Sequence, residues 1–194
     1  DDNDGIVQPL EFGEQTWIDG RLWYWSINFS GGVFYGCDPS PMPEILPEIA
    51  NLTNLKSLII DGGVPNYING YFDCGNITEI PESIGNLASL HTLRITHQDI
   101  VEIPYGMGNL QNLTTLDLSH NRIEEISYPN FLSASFDDIV ELDLSYNRLD
   151  IFDEQILNLI NLTKLDLSAN DIVSYLPNNI SSLINLTDLD LAGN

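Results

Sequence analysis

The chain has 194 residues, and its 29 acidic and 6 basic side chains give a formal net charge of −23. A surface of this sign repels phosphate, which argues against binding to nucleic acid or to an anionic membrane surface. Because 43% of the residues are hydrophobic, the acidity does not indicate a disordered tail.

The amino end carries carboxylates at a spacing typical of a calcium-binding loop. Asp2, Asp4 and Glu11 follow the order of EF-hand ligands, with Gly5 at the sharp turn, if the first ligand lies one residue before the sequence given. The carbonyl of Ile6 would supply a further oxygen. One hypothesis is therefore that Ca²⁺ binds here, and the alternative is a solvated acidic terminus.

Residues 1–44 combine this acidic segment with an aromatic-rich stretch that holds all three tryptophans, Trp17, Trp23 and Trp25. The rest of the chain is repetitive, as described below, and the first coil of a repeat array needs a cap over its core. Large aromatic side chains suit such a cap. Arg21–Phe29, a Ser-Gly-Gly turn and Val33–Tyr35 predict a strand, a turn and a second strand. The aromatic residues could alternatively form a carbohydrate platform.

A leucine-containing motif recurs six times in residues 45–194. Its central positions are Leu58, Leu93, Leu116, Leu142, Leu165 and Leu189. The Leu-x-Leu alternation predicts short strands with one buried face, and each unit is too small to bury its own leucines, so the units must stack. Four copies place an asparagine three residues after their last apolar position, where its amide can pair with backbone groups: Asn121, Asn147, Asn170 and Asn194.

A second phrase, Ile-Pro or Leu-Pro, begins the other half of three units at Pro81, Pro104 and Pro177. Proline at these positions suits the start of a short helical or extended return segment. With the LxxLxLSxN motif, these units resemble the leucine-rich repeat family, between its plant-type and LPxxI-type repeats. The resemblance implies an α/β solenoid of about six repeats, with a parallel β-sheet on the concave face and an aromatic amino-terminal cap.

The spacing of the copies predicts an insertion at about residues 62–73, because the first step is 35 residues and the others are 23 to 26. Insertions of this kind lie at one edge of a solenoid and can shape its binding face, although sequence drift is the commoner cause. Cys37 and Cys74 are the only cysteines. In an extracellular setting they would form a disulfide that joins the cap to the insertion, and two free thiols are the alternative.

Residues that flank the central leucines should point outward and form two ladders on the concave face. We take the charged members as candidate binding residues: Arg94, Asp117, Glu141, Asp143, Lys164, Asp166, Asp188 and Asp190. Such an acidic face would attract a basic protein patch or bridging Ca²⁺. Alternatively, the aspartate of the repeated Leu-Asp-Leu-Ser phrase serves solubility or strand spacing.

His97 and His120 occupy the same loop position in adjacent repeats, with Tyr146 in the next. Two histidines at this spacing could share a transition metal, although no third ligand is apparent, and exposed histidines are the simpler interpretation. Glycosylation in a secreted protein would use the N-x-S/T sequons at Asn28, Asn51, Asn76, Asn112, Asn161, Asn179 and Asn185. The family phrase NLxNLT generates three of these triplets by itself.

No catalytic motif such as HExxH, GxSxG or a Walker loop is present, and no apolar run approaches the ~18 residues of a membrane span. The sequence therefore predicts a non-catalytic extracellular or cell-surface module that recognises a protein or glycan through its acidic concave face. One alternative is a structural subunit that polymerises end to end with Ca²⁺ as a clamp, since the last copy lacks a polar capping repeat. An inhibitor of secreted enzymes is a third hypothesis, which rests on the family resemblance alone.

Overall fold

The computed structural model describes residues 14–18, 21–28, 45–62, 77–126 and 138–194. Within these ranges, eight strands form one sheet in chain order. β1 and β2 pair antiparallel, and every later neighbour is parallel. The strands are β1 (Glu14–Ile18), β2 (Arg21–Asn28), β3 (Ser57–Asp61), β4 (Thr92–Thr96), β5 (Thr115–Asp117), β6 (Glu141–Asp143), β7 (Lys164–Asp166) and β8 (Asp188–Asp190).

The parallel register places the six predicted central leucines side by side on adjoining strands. Leu93, Leu116, Leu142 and Leu165 are completely or almost completely buried. The leucines therefore stack from coil to coil into one continuous core, which confirms the predicted solenoid. Trp25 of β2 is paired with Leu58 and is also buried, so the row begins with an aromatic side chain.

The strand predicted at Arg21–Phe29 matches β2, but its antiparallel partner is β1, which the sequence did not indicate. The other predicted strand, Val33–Tyr35, lies outside the described residues. So do the proposed calcium ligands Asp2, Asp4, Ile6 and Glu11, the cysteines Cys37 and Cys74, Asn76, and the insertion after Gly62.

The return segments that the structure describes contain short 3-10 helices: Pro47–Asn51, Glu82–Asn86, Tyr105–Asn109, Glu154–Asn158 and Ile180–Ser182. Pro81 and Pro104 directly precede two of them in extended conformation, as predicted. Pro177 lies further from its helix, and its carbonyl accepts a hydrogen bond from the Ile180 N–H at 3.1 Å. The helix Glu154–Asn158 is preceded by Asp153 instead of proline, and the Asp153 side chain accepts a hydrogen bond from the Gln155 N–H.

In the described residues, five coils are closed from inside by an amide side chain, as the repeated asparagine predicted: Gln98, Asn121, Asn147, Asn170 and Asn194. Asn147 Nδ2 donates to the carbonyls of Leu118 and Leu144 at 3.0 Å, and its Oδ1 accepts from the Ile123 N–H at 3.0 Å. Because two of these partners belong to the preceding coil, the side chain joins one coil to the next. Gln98 replaces the asparagine in an earlier copy and accepts from the Ile77 N–H at 2.9 Å.

Candidate functional site: the exposed sheet face

The side of the sheet opposite the leucine row carries the two predicted ladders, and we call it the exposed sheet face. Strand pairing joins Arg94, Asp117, Asp143, Asp166 and Asp190 in one ladder. In the second, Lys164 lies between Glu141 and Asp188. The structure thus places all eight predicted binding residues on the same side of the sheet.

The aspartates of the first ladder also shape the backbone, because each accepts a hydrogen bond from the N–H two residues later. Asp143 Oδ1 accepts from the Ser145 N–H at 3.0 Å and from its hydroxyl at 2.7 Å. Asp117, Asp166 and Asp190 accept the equivalent N–H from residues 119, 168 and 192. These bonds form Asx turns. Each turn uses Oδ1, so Oδ2 is the oxygen that a partner would contact.

Asp117 departs from the expectation that the ladder faces outward, since its exposed fraction is 5%. Arg94, one strand earlier in the same ladder, covers it. The guanidinium places Nη2 at 2.9 Å and Nε at 3.0 Å from Asp117 Oδ2. The chain therefore contains its own example of a guanidinium bound to an Oδ2 of this ladder, a charge-assisted hydrogen bond.

The electrostatics of the face favour cations. Burial raises the pKa of Asp143 above its ordinary value, and the neighbouring carboxylates of Asp117 and Asp166 add to this shift, while the hydrogen bonds from Ser145 oppose it. A negative charge at this position is thus costly until a positive group approaches. Basic groups of a partner would relieve that repulsion.

A column of stacked rings follows the ends of the strands. His97, His120 and Tyr146 occupy equivalent corners, all with positive φ between 54° and 56°. Their ring centroids are 4.1 Å apart, with interplanar angles of 14° and 10°. His97 Nδ1 also lies 3.0 Å from Asp61 Oδ1. We call these three residues the ring column.

This stacking argues against a metal shared by His97 and His120. The lone pairs of an imidazole lie in the ring plane, so two parallel rings cannot both direct a nitrogen at an ion between them. Within the described ranges, no group of three or more His, Cys, Asp or Glu side chains could hold a metal ion. Burial and the adjacent His97 lower the pKa of His120, against the opposing effect of Asp143, Asp117 and Asp61.

The sequons differ in how far their side chains take part in the fold. Asn51, Asn112, Asn161, Asn179 and Asn185 are all exposed. Asn112 Nδ2 donates to the Ala88 carbonyl at 2.7 Å, and Asn185 Nδ2 donates to the Ile160 carbonyl at 2.8 Å. These two amides thus link adjacent coils. Asn28 lies in β2.

Comparison with known proteins identifies the repeats. Two leucine-rich repeat family models match the chain, one over residues 88–149 and the other over residues 161–183. No curated protein sequence matches the chain. In the part of the chain described by the structure, no helix has the length and apolar character needed to cross a membrane.

Three solved structures have similar folds. A leucine-rich repeat protein of Leptospira interrogans aligns with a TM-score of 0.65 and 29% identity, over 78% of this chain and 34% of that one. An internalin of Listeria monocytogenes aligns with a TM-score of 0.58 and 29% identity, over 79% of this chain and 39% of that one. The leucine-rich repeat ectodomain of a receptor kinase of Arabidopsis thaliana aligns with a TM-score of 0.52 and 32% identity. The alignment covers 59% of this chain and 63% of that one. The chain thus spans little more than a third of the first two proteins.

Proposed function

We propose that this leucine-rich repeat protein is a non-catalytic recognition module that binds a basic segment of a protein partner through its exposed sheet face. The fold is one that generally serves protein binding. The first ladder offers Asp143, Asp166 and Asp190 in successive coils, and each has Oδ1 engaged in its own turn. The paired strands place these three aspartates in a row at strand spacing.

The pair formed by Arg94 and Asp117 is the observation that carries this proposal. A guanidinium from the neighbouring coil already binds Oδ2 of the first aspartate in the ladder. Towards β8 the ladder continues with aspartates only, so the corresponding cation would come from a partner. The net charge of −23 would also steer basic partners towards the protein and accelerate their association at low salt.

The absence of catalysis is part of the same proposal. An active site needs converging groups in a pocket that excludes water. Among the described residues, an open groove beside the strands is lined by Thr114, Asp138, Val140, Asn161, Thr163 and Asn185. It holds one carboxylate and no activated nucleophile, a composition that suits binding better than chemistry.

Calorimetry with model peptides would test the proposal. An acetylated tetra-lysine amide should bind at 50 mM NaCl and bind more weakly at 300 mM, while a tetra-glutamate peptide should not bind. The double variant D166N/D190N should weaken binding several-fold. The control E79Q/E102Q removes the same charge from exposed positions outside the strands and should leave affinity nearly unchanged. Equal losses in both variants would indicate a general charge effect and contradict a site on the exposed sheet face.

We further propose an extracellular or cell-surface location. One structural neighbour is the ectodomain of a receptor kinase. Native protein should then contain a Cys37–Cys74 disulfide, visible as a two-proton mass difference on reduction, and glycans on accessible sequons such as Asn51 and Asn179. Detection of two free thiols and an unmodified mass in native material would contradict this location.

End-to-end assembly is a second candidate, favoured by exposed apolar side chains in residues 173–189. Leu189 is 38% exposed, Ile184 is 80% exposed, and Val173 and Tyr175 are almost fully exposed. A second copy could cover this surface, with Ca²⁺ at Asp2, Asp4, Ile6 and Glu11 as a clamp. Electron microscopy of native material with and without EDTA tests this function. Filaments that dissolve in EDTA would support it, and particles of constant single-chain size under both conditions would contradict it.

A further inference from the structure

The ring column ends abruptly at Tyr146. His97, His120 and Tyr146 stack in successive coils, and the next coil places Ala169 at the same corner with φ 52°. The backbone bonding repeats as well, since the N–H of Tyr146 donates to the Ser168 carbonyl and that of Ala169 donates to the Ala192 carbonyl. Ala169 therefore directs its side chain as the ring-bearing residues do, but supplies only a methyl group.

This change leaves one face of the last ring accessible. His120 covers one face of Tyr146 at 4.1 Å, while the residue as a whole is 55% exposed. Among the described residues, no ring stacks on the other face of Tyr146, because the next two corners are Ala169 and Gly193. A flat group of a partner could stack there.

The charges around this open face of Tyr146 select the kind of flat group. Asp61, Asp117 and Asp143 all act electrostatically on His120, so the ring column runs beside the carboxylates of the exposed sheet face. Asp166 belongs to the same coil as Ala169, with Leu167 and Ser168 between them in sequence, and its Oδ1 accepts from the Ser168 N–H. An anion is repelled here, whereas a planar cation gains both ring stacking and carboxylate contacts.

We propose that the face of Tyr146 above Ala169 is a subsite for an arginine side chain of the basic partner, with the carboxylate of Asp166 as its second contact. The inference rests on the proposed function and adds a preference for arginine over lysine. The Arg94–Asp117 pair within the chain provides the precedent for a guanidinium on an aspartate of this ladder. A lysine ammonium would meet the carboxylate but lacks the flat surface that stacks on a ring.

Paired peptides and paired variants test this subsite. Calorimetry at 50 mM NaCl would compare acetylated tetra-arginine amide with acetylated tetra-lysine amide, which carry equal charge. We expect the protein to prefer the arginine peptide by about two- to five-fold, the range of an exposed cation–π contact. Y146F keeps the ring and should retain the preference. Y146A should bind the two peptides equally, while its affinity for the lysine peptide changes little.

Two further controls separate the subsite from the proposed function. Y175A removes a tyrosine that is almost fully exposed outside the ring column, and it should keep the arginine preference. D166N/D190N should weaken both peptides. If neither peptide binds the native protein, the proposed function itself fails. If both bind but Y146A keeps the arginine preference, or Y175A loses it equally, the subsite is overturned while the basic partner stands.

Discussion

At the level of single residues, the buried asparagines connect the coils most directly. Asn147 is 8% exposed and satisfies the carbonyls of Leu118 and Leu144 together with the N–H of Ile123. N147A removes all three bonds. The carbonyls of Leu118 and Leu144 keep the amides of Asn121 and Asn170 as donors, but the N–H of Ile123 loses its acceptor in a buried site, which costs about 1–3 kcal/mol. We expect the free energy of unfolding in urea to fall by about 2 kcal/mol.

A matched control for that loss is N109A, which changes an exposed asparagine at the end of a 3-10 helix. It should alter stability by no more than about 0.5 kcal/mol. N147D is a sharper variant, because it keeps the accepting oxygen but replaces the donating amide with a charge beside carbonyl oxygens. It should destabilise at pH 7 at least as strongly as N147A. A small effect of N147A would mean that water replaces the amide inside the coil.

His120 gives a second residue-scale prediction, on pH. Its folded-state pKa lies below the ordinary value of 6.5, so the unfolded chain takes up a proton more readily. Its contribution to stability is therefore present above pH 6.5 and is lost as pH falls below that value. H120F keeps a ring in the column and cannot be protonated. The stability of this variant relative to the native protein should therefore rise as the pH falls from 7 to 5. Y146F, measured in parallel by thermal unfolding, should not follow this trend.

At the level of elements, the aspartates account for the lengths of the strands. β3 and β4 have five residues, whereas β5 to β8 have three. Ile59 and Arg94 occupy the ladder position in the longer strands, and aspartate occupies it in the shorter ones. The Asx turn begins at each aspartate, which is the last residue of its strand. The sequence marks where this bend occurs, because the Leu-Asp-Leu-Ser phrase is local.

The 3-10 helices stack closely enough to require glycine, which yields an element-scale prediction. A Cβ on Gly106 would lie 2.0 Å from the carbonyl oxygen of Glu82, and a Cβ on Gly85 would lie 2.0 Å from that of Gly106. Because backbone atoms cannot yield easily, G106A should destabilise the protein by about 1–3 kcal/mol. N86A changes an exposed position on the adjacent helix and is the control. Equal effects in chemical denaturation would contradict the close stacking.

At the level of the whole molecule, the features that the sequence predicted are those that repeat. The leucine row and both ladders follow from the spacing of the copies, and the structure places them as expected. The burial of Asp117 could not be predicted, because it depends on Arg94 in another coil. β1 was missed because its antiparallel pairing with β2 belongs to no repeat. The ring column shared a loop position in the sequence, but its stacking depends on positive φ at each corner.

The charge of the whole molecule leads to a prediction about salt. In the described part of the chain, three arginines are paired with carboxylates of neighbouring coils: Arg94–Asp117, Arg122–Asp99 and Arg148–Glu124. The net charge of −23 still leaves most carboxylates unbalanced, and their repulsion disfavours the compact state. Raising NaCl from 10 to 150 mM shortens the screening length from about 30 to about 8 Å. We expect the Tm to rise by about 5 °C, roughly 1–2 kcal/mol for a chain of this size.

The same thermal measurement distinguishes screening from a specific calcium site. At matched ionic strength, MgCl₂ and CaCl₂ screen equally, so a further rise with Ca²⁺ alone would support the loop predicted at Asp2, Asp4, Ile6 and Glu11. E11Q should abolish that further rise but keep the response to NaCl, because it removes one charge of 29 acidic groups. A Tm that falls with NaCl would contradict the repulsion argument, since it would mean that the three arginine pairs outweigh the unbalanced carboxylates.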